Sequence, residues 1–325
     1  MSSSPSLRHA LGPLCVDAPD GLYASPKSAR ELADVLAVLR AHGARLHHDV
    51  RLSRGAFDRL EAVDPKSCTV QAGAGIVLAE LERQLQPHAL SLGPLSPAAL
   101  KLTLADFLEG PYAGLRAIPV GRLEPLCASL VAVLHDGKRL ETHFSPRSAA
   151  GPDLAALVLG AHGRIGLVLS ARLRCVPLPE AKQRARLSFP SVESALDALK
   201  AALGDGCVPA KVRAHKVSDR AVLELELEGA IDAVARDLHS LQHRAPLFGG
   251  RPAGADLAAP GTAGEHECSW QSVARALATG HAVDLYRLSL HGAVVAGGAG
   301  GLMLDAPARW ANGSTLAAPV LGGAP

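Results

Sequence analysis

The sequence predicts an α+β protein of two domains. Helical and strand patterns alternate along the chain, prolines interrupt the pattern near residue 179, and the segments beyond follow a β-α-β-β-α-β order. A chain of 325 residues with 48% hydrophobic content can bury two separate cores. We therefore expect domains at residues 1–179 and 180–325, the second of them small and ferredoxin-like.

The first domain opens with a predicted helix within residues 25–43. Ser28 and Glu31 have the spacing of a capping box, and Gly43 ends the pattern. The stretch "ARLHH" at residues 44–48 is then expected to form a strand. The apolar face of the helix consists of Leu32, Val35, Leu36 and Leu39.

A second strand and helix are expected next. "CTVQAG" at residues 68–73 favours a short strand, and "GIVLAELERQLQ" at 75–86 has helical periodicity. Residues 88–122 are interrupted by prolines and are expected to be irregular, and a loop of that length is usually functional or the remnant of a function. The apolar stripe of the helix consists of Val77, Leu78, Leu81 and Leu85.

Strands are expected to complete the first domain. "SLVAVLHDGKRLET" predicts a hairpin that turns at Asp136 and Gly137. "LVLSARLRCVPLP" alternates between apolar and polar residues and ends at Pro177 and Pro179, where we place the domain boundary.

The second domain has a more regular pattern. A strand in "ARLSF" precedes a helix in "SVESALDALKAALG", and "VPAKVRAHKV" and "VLELELE" predict two further strands. In the last of these, leucines and glutamates alternate, so that one face is apolar and the other charged. A helix over residues 230–243, with Ile231, Val234, Leu238 and Leu241 inward, and a strand in "VDLYRLSLH" complete the ferredoxin-like order.

Composition argues against several classes of protein. A net charge of +2 and an aromatic content of 3% do not provide the basic face or stacking surface of a nucleic-acid-binding protein. The longest run of low polarity, "GAVVAGGAGGLML", is too short to span a bilayer, and the N-terminus lacks the apolar core of a signal peptide. We expect no membrane span and a cytoplasmic location.

The six cysteines occur singly, without the spacing of metal ligands or redox pairs, and are expected to be reduced thiols, most of them buried. They are Cys15, Cys68, Cys127, Cys175, Cys207 and Cys268.

A glycine-rich stretch marks the end of the first domain. "GPDLAALVLGAHGRIGLVLSARLRCVPLP" carries Gly151, Gly160, Gly163 and Gly166 around an apolar core, which indicates close approach of the backbone to a partner. "GAHGRIG" lacks the strand-first context of a dinucleotide fingerprint. Tight turns between packed elements would require the same glycines, so a cofactor cradle and a purely structural role both stay open.

Several motifs resemble those of the FAD-linked oxidases of the vanillyl-alcohol-oxidase type. "RSAAGPDLAALVLGAHGRIGLV" is similar to that family's K-x-V-A-G-Y-D run followed by G-S-x-G-T-L-G-V, and "CTVQAGAGIVLAELERQL" to its preceding strand, turn and helix. "SWQSVARAL", "LYRLSLHG" and "LDAPARWANG" resemble signals of the E subunit of bacterial glycolate oxidase. The resemblance covers residues 20–312, and the matching positions in these last motifs are Trp270, Arg287, Ser289, Arg309 and Trp310.

This resemblance implies a PCMH-type FAD-binding domain followed by a cap domain of FAD-oxidase type. It implies FAD as the cofactor, a small 2-hydroxy acid such as glycolate as the substrate, and a larger flavoprotein subunit and an iron–sulfur subunit as partners. It assigns no catalytic residue. The cofactor-binding positions that it implies are Thr103, Leu104, Gly151, Gly160, Gly163, Gly166 and Val168.

The sequence departs from the family pattern at the cofactor phosphates. The family holds the FAD diphosphate with a G-G-G-T loop whose amides point at the phosphates, whereas "ARLHHDVRLSRGAFDRL" passes from strand to strand without it. The family's T-L-G-G becomes Thr103-Leu104-Ala105-Asp106, which adds a carboxylate, and Arg164 replaces a small threonine. The alternative is therefore a cofactor-free pseudoenzyme that acts as a structural or regulatory interaction subunit.

The remaining polar candidates have simpler explanations, and we expect no metal site. His239 and His243 are expected on a solvated helix face, and "EHECSW" at residues 265–270 lies in an expected loop. His47 and His48 are expected at a strand end, although some relatives attach flavin through histidine near this point. Asp153 is expected to cap the helix "LAALVL", and Arg287 and Arg309 could hold a carboxylate or pair with acids.

Overall fold

The computed structural model describes residues 5–18, 21–46, 48–95, 97–110, 115–118, 122–144, 152–253, 265–280, 283–286 and 292–296. Several residues discussed above lie outside these ranges, namely His47, Gly151, Arg287, Ser289, Arg309 and Trp310.

The helices of the described residues are α1 (Pro5–Leu11), α2 (Ala29–Ala41), α3 (Leu78–Leu85), α4 (Leu104–Glu109), α5 (Ala155–Val158), α6 (Val192–Gly204), α7 (Ile231–Arg244) and α8 (Trp270–Ala278). The strands are β1 (Cys15–Ala18), β2 (Gly21–Ala24), β3 (Arg51–Leu52), β4 (Leu60–Asp64), β5 (Thr69–Gly73), β6 (Leu90–Ser91), β7 (Leu115–Ile118), β8 (Arg122–Pro125), β9 (Cys127–Leu134), β10 (Arg139–Glu141), β11 (Gly166–Arg174), β12 (Val176–Pro177), β13 (Ala181–Phe189), β14 (Lys211–Val217), β15 (Arg220–Gly229), β16 (Arg251–Pro252), β17 (Glu265–Ser269), β18 (Val283–Tyr286) and β19 (Gly292–Ala296).

The chain divides into two compact units. The first comprises Met1–Leu92, Leu100–Gly114 and Pro125–Pro177, and the second comprises Gly93–Ala99, Leu115–Glu124 and Leu178–Pro325. The mixed α+β class predicted from the sequence is confirmed.

In the first unit, helix α2 lies between two sheets. Val35 and Leu39 pack with the core of the three-stranded sheet β1-β2-β3, while Leu32 and Leu36 contact Val133 and other residues of the five-stranded antiparallel sheet β10-β9-β11-β5-β4. Ser28 caps this helix by accepting a hydrogen bond from the Glu31 N–H, as predicted. The hairpin β9–β10 turns at Asp136 and Gly137, also as predicted.

The second unit is built on a seven-stranded sheet of order β16-β13-β15-β14-β18-β19-β17. Helices α6, α7 and α8 contribute to one core with this sheet, which also holds Leu223, Leu225 and Leu227 of β15. Three salt bridges join the glutamates on the other face of β15 to β13 (Arg186–Glu224, Arg184–Glu226 and Lys182–Glu228), which we call the charge ladder.

Three expectations for the first unit were wrong. The described residues of "ARLHH" form no strand. Leu46 makes an isolated bridge to Val50, and His48 lies in a turn, because Asp49 draws the backbone back on itself. Val77 does not belong to the buried stripe of α3. It is the extended cap residue before the helix and is 39% exposed. The stretch 88–122, expected to be irregular, contains helix α4 and short strands, because Thr103 provides a helix cap that the prolines obscured.

The second unit also differs from expectation at its edges. The ferredoxin-like order is closed by the short strand β16 beside β13, because the chain turns back at Gly249 (φ +71°) directly after α7. The predicted closing strand, β18, lies instead between β14 and β19, away from β13. Ile231 is 62% exposed because it lies in the first turn of α7, and "EHECSW" is strand β17 leading into α8, where Trp270 is buried.

The cysteines agree with the prediction where the structure describes their side chains. Cys127, Cys175 and Cys207 are buried free thiols, and Cys15 and Cys68 are partly exposed. Burial raises the pKa of both Cys127 and Cys207 to about 12, so that these two thiols stay protonated at neutral pH. Within the described ranges, no helix has both the length and the apolar character needed to cross a membrane.

Candidate functional site

The predicted glycine-rich turn packs on the end of helix α4. The Gly160 N–H donates to the Leu108 carbonyl at 2.9 Å, and the His162 N–H donates to the Glu109 carbonyl at 2.8 Å. Gly160 (φ +71°) and Gly163 (φ +69°) adopt the left-handed conformation that favours glycine. The turn is therefore held by the carbonyl groups that the helix leaves unpaired.

The predicted T-L-G-G equivalent is the start of the same helix. Thr103 Oγ1 accepts a hydrogen bond from the Asp106 N–H at 3.1 Å and donates to the Asp106 carboxylate at 2.7 Å. The Leu104 N–H donates to the Ile76 carbonyl and the Ala105 N–H to the Ala74 carbonyl, each at 2.8 Å. The side chains of Leu104 and Ala105 are fully buried. Thr103 and Leu104 thus lie on the element that supports the glycine turn.

A buried ion pair joins these parts. Arg54 Nη2 lies 2.8 Å and 2.9 Å from the two carboxylate oxygens of Glu109, and both side chains are 7% exposed. Glu109 Oε1 also accepts the Val168 N–H at 2.7 Å. Burial raises the pKa of Glu109, while the charge of Arg54 and the Val168 N–H oppose that shift. The ion pair and the Val168 hydrogen bond form one compact polar cluster.

Two glycines explain why Arg54 reaches this position. A Cβ at Gly73 would lie 2.1 Å from the Phe57 carbonyl oxygen, and one at Gly75 would lie 1.9 Å from the Arg54 carbonyl oxygen. The Gly75 N–H donates to the Phe57 carbonyl at 2.9 Å. The absence of side chains at these glycines therefore lets the segment that carries Arg54 lie directly against the end of β5.

The turn before β3 is closed by its own side chain. Leu46 and Val50 form a parallel bridge with three residues between them. The Asp49 carboxylate accepts the Arg45 N–H at 2.7 Å, and the Asp49 N–H donates to the Arg45 carbonyl at 2.9 Å. The hydrogen bond from Arg45, with a further contact to His48, lowers the pKa of Asp49.

A cavity of about 410 Å³ lies on the five-stranded sheet of the first unit. Its polar lining includes Arg172, whose guanidinium lies 4.7 Å from the centroid of the Phe144 ring and donates to Gln71 Oε1 at 3.1 Å. The rest of the lining comprises Ser129, Leu130, Val131, Glu141, Thr142, His143, Ser170 and Ala171.

The structure brings most of the predicted site residues together. Gly160, Gly163 and Val168 surround Glu109, and Thr103 and Leu104 begin the same short helix. Gly166 lies at the start of β11, where a Cβ would be 2.8 Å from the Val133 carbonyl oxygen. Sequence reasoning missed Arg54 and Glu109, although Gly73 and Gly75 were a signal of close backbone approach.

The other polar candidates form no metal site within the described ranges. His239 and His243 contact one another on α7, with ring centroids 4.5 Å apart. Asp153 accepts the Ala155 and Ala156 N–H groups, which confirms its expected capping role.

This chain is similar in sequence to a family of FAD-binding domains and to several enzymes. The family described as the FAD binding domain matches residues 47–143. An alkyldihydroxyacetonephosphate synthase of Caenorhabditis elegans is 28% identical over 191 residues, which is 59% of this chain and 32% of that protein. Glycolate oxidase subunit GlcD of Bacillus subtilis is 21% identical over 258 residues, 69% of this chain and 54% of that one. A D-lactate dehydrogenase of Archaeoglobus fulgidus is 28% identical over 147 residues, 45% and 33% of the two chains.

Solved structures share the fold. An alkyldihydroxyacetonephosphate synthase aligns with a TM-score of 0.66 and 15% identity over 84% of this chain and 68% of that one. p-Cresol methylhydroxylase aligns with a TM-score of 0.62 and 11% identity over 85% and 74%. The chain spans between a third and just over half of the length of the curated relatives named above. Residues 47–143 thus match the FAD binding domain family, and the fold is the one shared by FAD-binding proteins of the vanillyl-alcohol-oxidase/PCMH type, to which this chain is similar.

Proposed function

We propose that this chain is a cytoplasmic subunit of an FAD-linked oxidoreductase complex that acts on a small 2-hydroxy acid. The FAD binding domain family supports the redox class, and the names of two relatives, a glycolate oxidase subunit and a D-lactate dehydrogenase, support the substrate class. A larger flavoprotein subunit and an iron–sulfur subunit are the partners that the resemblance to glycolate oxidase implies. In such a complex the flavin supplies the redox chemistry, and the protein supplies binding and orientation.

The observation that carries the substrate class is the position of Arg172 in the cavity. Phe144 and Gln71 hold the guanidinium in one orientation, and the hydrogen bond to Gln71 uses only one of its five donors. A planar guanidinium that is fixed in this way can bind a carboxylate through two parallel hydrogen bonds. At about 410 Å³, the cavity falls within the range of small-molecule sites.

The remaining lining suits a hydroxy acid with one negative charge. Ser129 and Ser170 offer hydroxyl groups that can donate to or accept from a substrate hydroxyl. Thr142 is already engaged, because its Oγ1 accepts the Leu130 N–H at 2.8 Å. The Glu141 carboxylate, which pairs with Arg139 at 2.9 Å, disfavours a ligand with a second negative charge.

The test is calorimetric titration of the purified chain with glycolate, D-lactate, acetate and dihydroxyacetone phosphate. We expect both hydroxy acids to bind more tightly than acetate, and the phosphate ester to bind least. Arg172→Gln should weaken hydroxy-acid binding about 10- to 100-fold, which corresponds to hydrogen bonds of about 1.5–3 kcal/mol to a charged group. Arg83→Gln, an exposed arginine on α3 that pairs with Glu80, is the matched control and should bind as the wild type does.

Unchanged affinity in Arg172→Gln would exclude this cavity as the binding site. If dihydroxyacetone phosphate bound more tightly than the hydroxy acids, the substrate class would instead be a phosphate ester, as the name of the alkyldihydroxyacetonephosphate synthase suggests.

A further inference from the structure

We infer that Glu109 is an internal ligand for the backbone N–H of Val168, one of the positions that the resemblance assigns to the cofactor, and that this subunit folds and works without an FAD of its own. The inference deepens the proposed function by assigning the chain a non-catalytic place in the complex. It rests on contacts of the chain with itself at each of the two places where the resemblance locates the cofactor.

The first place is the glycine turn, where donors are already used. The Val168 N–H donates to Glu109, the Leu104 N–H to the Ile76 carbonyl and the Gly160 N–H to the Leu108 carbonyl. An FAD that accepted hydrogen bonds from the backbone at these positions would need these groups free. The buried protein groups would lose their partners, which costs more than an exposed hydrogen bond.

The charge at this place has the wrong sign for a cofactor anion. Glu109 lies in the cluster itself, and Asp106 lies in the first turn of the same short helix. Arg54, the cation that faces Glu109, is already paired with its carboxylate at 2.8 Å. A diphosphate would therefore meet two carboxylates and a neutralised guanidinium in a poorly solvated region.

The second place is the turn where the family inserts its phosphate loop. Only three residues separate Leu46 from Val50. The Arg45 N–H is taken by the Asp49 carboxylate, and the His48 and Asp49 N–H groups both donate to the Arg45 carbonyl. These three amides therefore do not point together at an external anion, as the amides of a phosphate-binding nest do. The residues described at both places do not fit FAD.

The inference can be tested on the purified full chain through the Val168 amide. Hydrogen exchange followed by NMR should show this amide protected in protein that contains no flavin. Glu109→Ala should raise its exchange rate at least tenfold. The Leu104 amide, which bonds to the Ile76 carbonyl, is the internal control for the loss of global stability, and the exchange rate of Val168 should rise at least tenfold more than that of Leu104. A Val168 amide that exchanges freely without flavin and becomes protected when FAD is added would overturn the inference.

Flavin content provides an independent test. The chain should be colourless between about 350 and 500 nm, and an excess of FAD should leave its Tm unchanged, because only a ligand that binds the native state raises Tm. Stoichiometric FAD in the purified chain, or a Tm that rises with FAD, would refute the internal ligand. Hydroxy-acid titration at Arg172 is measured separately, so that loss of hydroxy-acid binding contradicts the proposed function and flavin uptake contradicts this inference.

Discussion

The two units of this protein use the same ion-pair chemistry in opposite settings. In the first unit, Arg54 and Glu109 are each 7% exposed, and Glu109 also accepts a backbone amide. In the second unit, the charge ladder joins neighbouring strands at the surface, and at its middle pair Arg184 is 86% exposed. The charges are alike, but water screens only the second set.

This difference determines what each set can contribute. A surface pair exchanges solvation for a weak attraction, so its loss changes little. A buried pair does not stabilise a fold strongly as a unit, but the loss of one partner leaves an uncompensated buried charge. The first unit is therefore sensitive to single changes at Arg54 or Glu109, whereas the second unit tolerates changes in its ladder.

The largest effect is expected for Glu109→Ala. Arg54 would remain charged and buried without its partner, and the Val168 N–H would lose its acceptor, so we expect the free energy of unfolding to fall by about 3–5 kcal/mol. Urea denaturation followed by circular dichroism measures this loss. Arg54→Met combined with Glu109→Gln should recover part of it, because the double variant removes both charges and keeps an acceptor for Val168. A double variant less stable than Glu109→Ala would contradict this account.

The next effect concerns the glycine that brings Arg54 into place. Gly75→Ala would put a Cβ 1.9 Å from the Arg54 carbonyl oxygen, which forces the backbone apart. Such overpacking should cost about 1–3 kcal/mol in the free energy of unfolding. Gly204→Ala, at the end of α6, is the matched control, because no atom lies within 4 Å of its added Cβ. The control should stabilise the chain by about 0.5–1 kcal/mol, since alanine favours the helix over glycine. Equal effects of the two substitutions would contradict the close approach.

The comparison also shows which features the sequence could reveal. Helix α2 and the two faces of β15 follow from local patterns, namely the Ser28 cap and the alternation of Leu223 and Glu224 with their neighbours. The Arg54–Glu109 pair could not be found in this way, because its members are 55 positions apart in the sequence and no periodicity relates them. The pairing of strand β16 with β13 could not be predicted from a local pattern either, because it depends on the path of the chain after Gly249.

A pH-dependent effect should distinguish the second unit. His215 of β14 is 6% exposed, and neither ring nitrogen has a hydrogen-bond partner. Burial, together with the nearby Arg186 and Arg213, lowers its pKa from 6.5, while Glu224 and Asp284 oppose the shift. The folded state favours the neutral ring of His215, so protonation of this ring lowers the free energy of unfolding. The contribution of His215 to stability is therefore present above pH 6.5 and is lost as the pH falls through the lowered pKa.

Urea denaturation between pH 7.5 and pH 5, followed by the fluorescence of Trp270, measures this loss; Trp310→Phe makes Trp270 the sole indole. We expect His215→Phe to reduce the pH dependence of the free energy of unfolding. His88→Gln, at an exposed position, should leave that dependence unchanged. An identical pH dependence in wild type and His215→Phe would assign the effect to other groups.

The smallest effect is expected at the middle pair of the charge ladder, which contains its most exposed cation. Arg184 Nε lies 3.5 Å from Glu226, and the arginine side chain is 86% exposed, so Glu226→Gln should change the free energy of unfolding by less than about 0.5 kcal/mol. Glu109→Gln provides the direct contrast, because it removes the same charge from the same residue type in a buried setting. Urea denaturation at low and high salt measures the free energy of unfolding of both variants. The effect of Glu226→Gln should shrink at high salt, because salt screens exposed charges, whereas the effect of Glu109→Gln at the buried pair should stay largely the same. If Glu226→Gln were as destabilising as Glu109→Gln, burial would not be what distinguishes the two units.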